Sequence, residues 1–189
     1  SFWVPKLAGK VDMVPAEGNK MWFEADEPGV YYGQCAEYCG DSHANMRFRV
    51  VAVPENEFND WLAYQSAPAI ESPDALALSG QEVFKSAGCS GCHALKTVVN
   101  KGSKGRIGPN LTHVASRRHL AAGVLTNSED GGPVNDSYLQ DNLRNWIKDP
   151  NSIKPGNIMS AQGVVYTDPD RKLTEEEISA LVGYLTTLK

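Results

Sequence analysis

Gly88-Cys89-Ser90-Gly91-Cys92-His93 is the stretch on which the reading of this chain turns. C-x-x-C-H is the spacing at which a haem can be attached covalently: two thiols add to its vinyl groups, and the adjoining imidazole binds the iron from one face. A zinc half-site would need two further ligands at suitable spacing, and a thioredoxin-like redox pair would need a βαβ setting; neither lies nearby. Working outward, the surrounding residues read as helix. Ser79 is placed to cap a helix that carries Val83 and Phe84 and runs into the cysteines. An irregular passage from Thr97 to Leu111 follows, with Gly102, Gly105, Gly108 and Pro109. Leu139, Leu143, Trp146 and Ile147 recur at helical spacing and mark a second helix that ends by Pro150. Thr174 with Glu177 forms a capping box for a last helix, whose apolar stripe is Ile178, Leu181, Val182 and Leu185. Glu175 to Glu177 then place favourable charge in a first turn and are not an acidic binding patch.

A haem iron takes a second axial ligand unless it binds gas or substrate, and the candidates are Met159, His113 and His119. Met159 lies in Lys154-Pro155-Gly156-Asn157-Ile158-Met159, a stiff loop between two expected helices that can present a thioether. His/Met ligation raises the potential and favours electron transfer over oxygen chemistry. His113 reads as a packed helix residue and His119 as a surface residue.

The chain before the haem motif has a different texture. From Ser1 to about Val53, short runs such as Lys20-Met21-Trp22-Phe23 and Val30-Tyr31-Tyr32 are separated by turn signals at Gly18-Asn19 and Pro28-Gly29, and Arg47 to Val53 reads as a last strand. That is a small antiparallel sandwich or barrel, closed by one amphipathic helix over 55–65 with Phe58, Trp61 and Leu62. Pro68, Pro73 and several alanines without period mark a linker over 67–78. The 189 residues therefore divide into a β domain, 1–66, and a helical domain, 79–189, each long enough to bury a core. Ser1 to Ile70 carries five basic and ten acidic residues, the remainder thirteen of each, and the net charge of -5 argues against nucleic acid as a partner. No apolar run approaches bilayer length and no signal-peptide pattern opens the chain, which reads as soluble.

Within the β region, Gly33-Gln34-Cys35-Ala36-Glu37-Tyr38-Cys39-Gly40-Asp41-Ser42-His43-Ala44-Asn45-Met46 holds C-x3-C-x3-H-x2-M between two expected strands. Two thiolates, an imidazole and a thioether within twelve positions form a soft-ligand set that selects copper over hard cations, and Met46 would suit zinc poorly. Two cysteines so close can bridge a pair of copper ions. The four cysteines therefore fall into two metal centres and not into a disulfide framework. Covalent haem attachment is carried out outside the cytoplasm, which places the domain in the periplasm or on the outer face of a membrane.

Over residues 79–189 the arrangement resembles class I cytochrome c: N-terminal helix, C-x-x-C-H, a Gly-Pro segment, a methionine loop and a terminal helix. The resemblance implies that the Pro109 carbonyl accepts the Nδ1 proton of His93, that Met159 is the distal ligand, and that Trp146 and Arg117 approach the haem propionates. The cysteine-rich loop, together with Ala25-Asp26-Glu27-Pro28-Gly29-Val30-Tyr31-Tyr32 before it, resembles the binuclear copper (CuA) loop of subunit II of haem-copper cytochrome c oxidases. By that resemblance Cys35 and Cys39 bridge the coppers, His43 and Met46 are terminal ligands, and the Glu37 carbonyl is a weak ligand. The Glu37 carboxylate would reach a magnesium ion at the border with subunit I. The family takes a second histidine from a His-Ser-Phe-Trp-Val-Pro context, whereas Ser1-Phe2-Trp3-Val4-Pro5 opens this chain, so the copper set is incomplete without a histidine ahead of Ser1.

A CuA loop followed by a cytochrome c domain resembles the caa3-type oxidases, in which the soluble donor is fused to its acceptor. The expected fold is a partial, all-β cupredoxin-like sandwich followed by an all-α class I cytochrome c fold. The expected role is an electron-transfer subunit of an oxidoreductase complex, itself without oxygen chemistry. Electrons would pass from a cytochrome c-type, cupredoxin or iron–sulfur donor to the haem, then to the copper pair, then to subunit I. Tethering would raise the effective donor concentration to roughly millimolar. A membrane hairpin would precede the chain. The alternatives are the C-terminal region of a nitrous oxide reductase and a free electron carrier; Glu37 and the helix after the last strand favour the oxidase.

Overall fold

Four antiparallel strands build the first domain in the computed structural model, which describes residues 1–98, 102–129 and 132–189. Strands β1 (Phe2–Trp3), β2 (Lys10–Val11), β3 (Gly29–Cys35) and β4 (Arg47–Ala52) lie in the order β2-β1-β3-β4, with Phe2 opposite Cys35 and Gly33 opposite Phe48. Val30, Tyr32 and Gln34 of β3 point outward while Tyr31, Gly33 and Cys35 turn inward, the alternation of a half-buried strand. On that inner face Phe48 stacks on Phe2 at 4.7 Å between ring centroids. A Cβ on Gly33 would lie 2.2 Å from the Phe48 ring, so glycine is what lets the aromatic lie flat on β3.

The expected strand at Lys20-Met21-Trp22-Phe23 does not form. The segment joins no ladder: Phe23 stacks on Phe2 of β1 with ring centroids 6.1 Å apart, but Trp22 is 86% exposed. Extended propensity without a hydrogen-bonding neighbour does not make a sheet. Helix α1 (Glu55–Ser66) matches the expected 55–65, but Phe58, Trp61 and Leu62 face outward.

Helix α2 (Ala75–Ser86) is capped five residues earlier than the expected Ser79. Asp74 is the N-cap, its carboxylate accepting from the Leu76 amide at 2.7 Å. Its charge suits the helix N-terminus, and Ala75 to Leu78 are strong helix formers, so the linker shrinks to 67–74. What remains is pinned. Ala69 is fully buried, its amide donating to the Lys96 carbonyl and its carbonyl accepting from Val98, both at 3.0 Å.

The second domain continues with α3 (Cys89–Cys92), the pair β5 (Ala94–Leu95) and β6 (Ser103–Lys104), and the pair β7 (His119–Leu120) and β8 (Leu125–Thr126). Helices α4 (Asp136–Lys148), α5 (Pro150–Ile153), α6 (Ile158–Gln162), α7 (Val164–Thr167) and α8 (Glu175–Leu185) complete it. The two short β pairs are additions to the all-α expectation. Thr174 and Glu177 make the expected capping box, and Ile178, Leu181, Val182 and Leu185 are buried. They pack with Phe84, Leu139, Leu143 and Ile147 in one core cluster. Helices α2 and α8 cross with backbone almost touching, since a Cβ on Gly80 would lie 2.0 Å from the Ala180 carbonyl oxygen. Phe84 and Tyr184 close the crossing edge to face, 6.0 Å apart. That crossing fixes the direction in which α2 delivers the cysteines.

Candidate metal centres

Gly88 ends the approach from α2 with φ +79°, a left-handed turn that redirects the chain so that Cys89 to Cys92 form a single helical turn with His93 at its exit. The His93 backbone is gripped by the irregular passage that follows. Its carbonyl accepts from the Ser103 hydroxyl, the Gly108 amide donates to the Cys92 carbonyl at 2.9 Å, and a Cβ on Gly105 would stand 2.5 Å from the His93 nitrogen. The ring lies flat on Gly108, and its Nδ1 is 2.8 Å from the Pro109 carbonyl oxygen. An Nδ1 proton donated there fixes the tautomer and leaves Nε2 as the lone-pair donor, the orientation a metal-binding imidazole needs. Cys89 packs against the apolar core, and burial pushes its thiol up to about 11. A sulfur held neutral against apolar side chains suits a thioether to a large apolar ring, so the residues present fit covalent haem.

The first-domain cluster sits where the loop between β3 and β4 folds back on itself. Cys35 Sγ is 3.1 Å from the Glu37 carbonyl oxygen, Cys39 Sγ is 3.6 Å from His43 Nδ1, and Cys39 Sγ is 3.7 Å from Met46 Sδ. The ligand atoms of Cys35, Cys39 and His43 lie within 4.8 Å of one another. Cys35 is drawn down to about 7, foremost by a backbone hydrogen bond at Glu37. Cys39 is pushed up by desolvation and by its hydrogen bond to and charge repulsion from Cys35. Two sulfurs and an imidazole gathered this closely could share a cation, and the thioether beside them selects a soft one. Ser1 lies at the cluster, its backbone nitrogen 3.5 Å from Cys35 Sγ. All four cysteines are free thiols.

The two stretches of chain that hold these clusters each match a known family. Residues 77–189 match the cytochrome c family model, and residues 1–53 match that of the periplasmic domain of cytochrome c oxidase subunit II. The chain belongs to the cytochrome c family. Its first 53 residues are similar to the periplasmic domain of cytochrome c oxidase subunit II. Relatives described as cytochrome c oxidase subunit 2 match the whole chain: 42% identity in Alkalihalophilus pseudofirmus, 37% in Bacillus sp. strain PS3 and 35% in Bacillus subtilis. The chain spans 48%, 49% and 49% of those proteins, about half of their length.

Within this cytochrome c fold the other expected residues take definite places. Met159 is half-buried in the first turn of α6, which Asn157 caps by accepting from the Ser160 amide at 2.9 Å. Trp146 is half-buried on α4. Arg117 is not a free surface cation: its guanidinium donates to the Asn110 carbonyl, next to Pro109, and desolvation lowers its pKa. His113 is buried at the start of a 3-10 turn and not inside a helix; its Nε2 lies 2.9 Å from the Ala67 carbonyl oxygen, and its ring meets that of Tyr64 at 4.6 Å. His119 is half-buried in β7 beside Arg49 and Arg118, not on the open surface. The reading of sequence missed Tyr166 and Val164. The Tyr166 hydroxyl donates to the Ile147 carbonyl at 2.7 Å, and its pKa is raised by burial and by the nearby Cys89. Val164 lies against Gly88, within 3.8 Å of where a Cβ would stand. Both belong to the one-turn helix α7, which has no period long enough to register.

Proposed function

We propose that the chain is the electron-relaying part of a cytochrome c oxidase subunit II, working on the outer face of a bacterial cytoplasmic membrane. The observation that carries the reading is the presence, on one chain, of two separate converging donor sets of different chemistry. Cys89 and Cys92 would anchor a haem, with His93 and Met159 as its axial ligands and Pro109 orienting the imidazole. Trp146 and the partly desolvated Arg117 would serve its propionates. Cys35, Cys39, His43, Met46 and the Glu37 carbonyl would hold a binuclear copper centre. The Glu37 carboxylate, exposed beside it, would take a magnesium ion at the contact with subunit I. When bound, the haem and the copper pair would each supply a one-electron couple, and a His/Met haem has a raised potential.

What this chain's own residues do is hold those groups with little rearrangement. Ser103, Gly105, Gly108 and Pro109 fix the His93 ring before any metal arrives. Asn157 and Asn151 stiffen the approach to Met159, the Asn151 side chain accepting from the Gly156 amide at 3.1 Å. A rigid first shell keeps the reorganisation on electron gain small. Partners are subunit I on one side and, on the other, a cytochrome c-type, cupredoxin or iron–sulfur donor. The names of the full-length relatives favour the oxidase over a nitrous oxide reductase or a free carrier.

An optical spectrum with metal counts on the purified chain tests both centres. A c-type haem spectrum with one iron per chain is expected. Met159→Ala should shift the reduced spectrum and lower the potential; an unchanged spectrum removes Met159 from the ligand set. A colourless protein, or cysteines found joined as cystines, refutes the reading.

A further inference from the structure

The loop that bears the copper ligands touches the loop that bears Met159. Ser42, immediately before His43, donates its hydroxyl to the Pro155 carbonyl, 113 residues away in sequence. Asp41 lies against Gly156, where a Cβ would stand 3.1 Å from its carboxylate. Gly156 has φ +71°, so both the conformation and the closeness ask for glycine. Ser42 is also the N-cap of the 3-10 turn His43–Asn45, the position from which a serine hydroxyl ordinarily accepts from its own turn, and here it makes no such bond. Its hydroxyl is committed across the domain boundary instead. Lys154, next in the same loop, is close enough for its charge to act on Cys39.

Other contacts between the two domains, among the described residues, are of another kind. Arg47 on β4 approaches Gly123, with 3.5 Å from its Cβ to where a glycine Cβ would stand, and Tyr64 of α1 meets His113. These contacts join the domains without bringing the cysteine loop against the methionine loop, and Arg47 directly follows Met46. Ser42 and Asp41 bring the two loops together, one and two residues from His43, against residues four and three before Met159.

We propose that Ser42 is a positioning residue: its hydroxyl, held by the Pro155 carbonyl, latches the methionine loop of the cytochrome c domain onto the cysteine loop and so sets the separation of the two ligand sets. The inference rests on the reading of both loops as metal sites, and it adds how their mutual position is held. The linker over 67–74 keeps the domains near each other whether latched or not, so the latch decides register and not encounter.

Hydrogen exchange on the full chain with haem attached tests this, comparing wild type with Ser42→Ala and Ser42→Thr over residues 40–46, 155–162 and α8. The Pro155 carbonyl is exposed enough to find water when the latch opens, so losing one ordinary hydrogen bond should raise the open population, and the exchange of both loops together, by about fivefold. Ser42→Thr should restore wild-type exchange, and α8 should not change in either variant. Unchanged exchange over 155–162 in Ser42→Ala, failure of the threonine to rescue, or acceleration spreading into α8 would each overturn the latch. The haem spectrum of the same samples judges the underlying reading separately: a wild-type chain without a c-type spectrum defeats the metal assignment even if the loops exchange together.

Discussion

Gly108→Ala places a methyl group in the plane on which the His93 ring rests, and its consequence can be worked from distances. The new Cβ would lie 2.4 Å from Cε1, 2.6 Å from Nδ1 and 3.0 Å from Nε2, whereas ordinary van der Waals contact begins at 3.4 Å. The ring must therefore retreat by about 1 Å. It cannot do so freely, because the preceding residues are gripped by Ser103 and Gly105 and the ring is bonded to Pro109 at 2.8 Å. Overpacking of this kind costs about 1–3 kcal/mol. Loss of the Nδ1 hydrogen bond adds about 1 kcal/mol and releases the tautomer. The destabilisation should come with a changed axial field, so the assay is twofold: thermal or denaturant unfolding, and the reduced optical spectrum of the haem-bearing chain. A melting point and spectrum both equal to wild type would refute the claim that Gly108 is required by the ring. A lowered melting point with an unaltered spectrum would show that the cradle supports the fold without orienting the ligand.

Two further perturbations separate packing from charge. Gly80→Ala drives a methyl group into the Ala180 carbonyl 2.0 Å away and should separate α2 from α8, lowering stability by about 1–3 kcal/mol in a urea titration; a loss below about 0.5 kcal/mol would mean the helices slide at no cost. The pKa of His119 is lowered by burial, then by Arg49 and Arg118, so its neutral form is favoured in the folded chain and the unfolded chain binds the proton more readily. Stability should therefore be level above the ordinary histidine range and fall as the pH drops below about 6.5. His119→Gln should lose less stability than wild type between about pH 7.5 and pH 5 in paired thermal melts, and parallel curves would remove His119 as a contributor.

Much of this protein was legible before any fold was known, because its chemistry is local. C-x-x-C-H and C-x3-C-x3-H-x2-M each bring their donors together within one or two turns of chain, so spacing alone implies convergence. The Pro109 contact with His93 also followed from the family resemblance. The α8 capping box and stripe were readable for the same reason: Thr174 to Leu185 carries both its start signal and its period. Where reading failed, either a ladder partner was lacking or a stronger local signal won. Lys20 to Phe23 has the composition of a strand and no neighbour to pair with, and Ser79 lost the cap to Asp74, whose carboxylate meets the amide of Leu76.

By itself the sequence determined that this chain carries two close clusters of soft donor side chains, one in a β region and one among helices, since residue type and short spacing are enough to define donor chemistry. Tertiary structure alone decided which glycines are cradles, that His113 is occupied at the linker, that α7 adjoins Cys89, and that the two ligand loops meet at Ser42 and Pro155. Those are contacts between residues up to 113 positions apart, and no local pattern encodes the geometry of a meeting that only the packed chain creates.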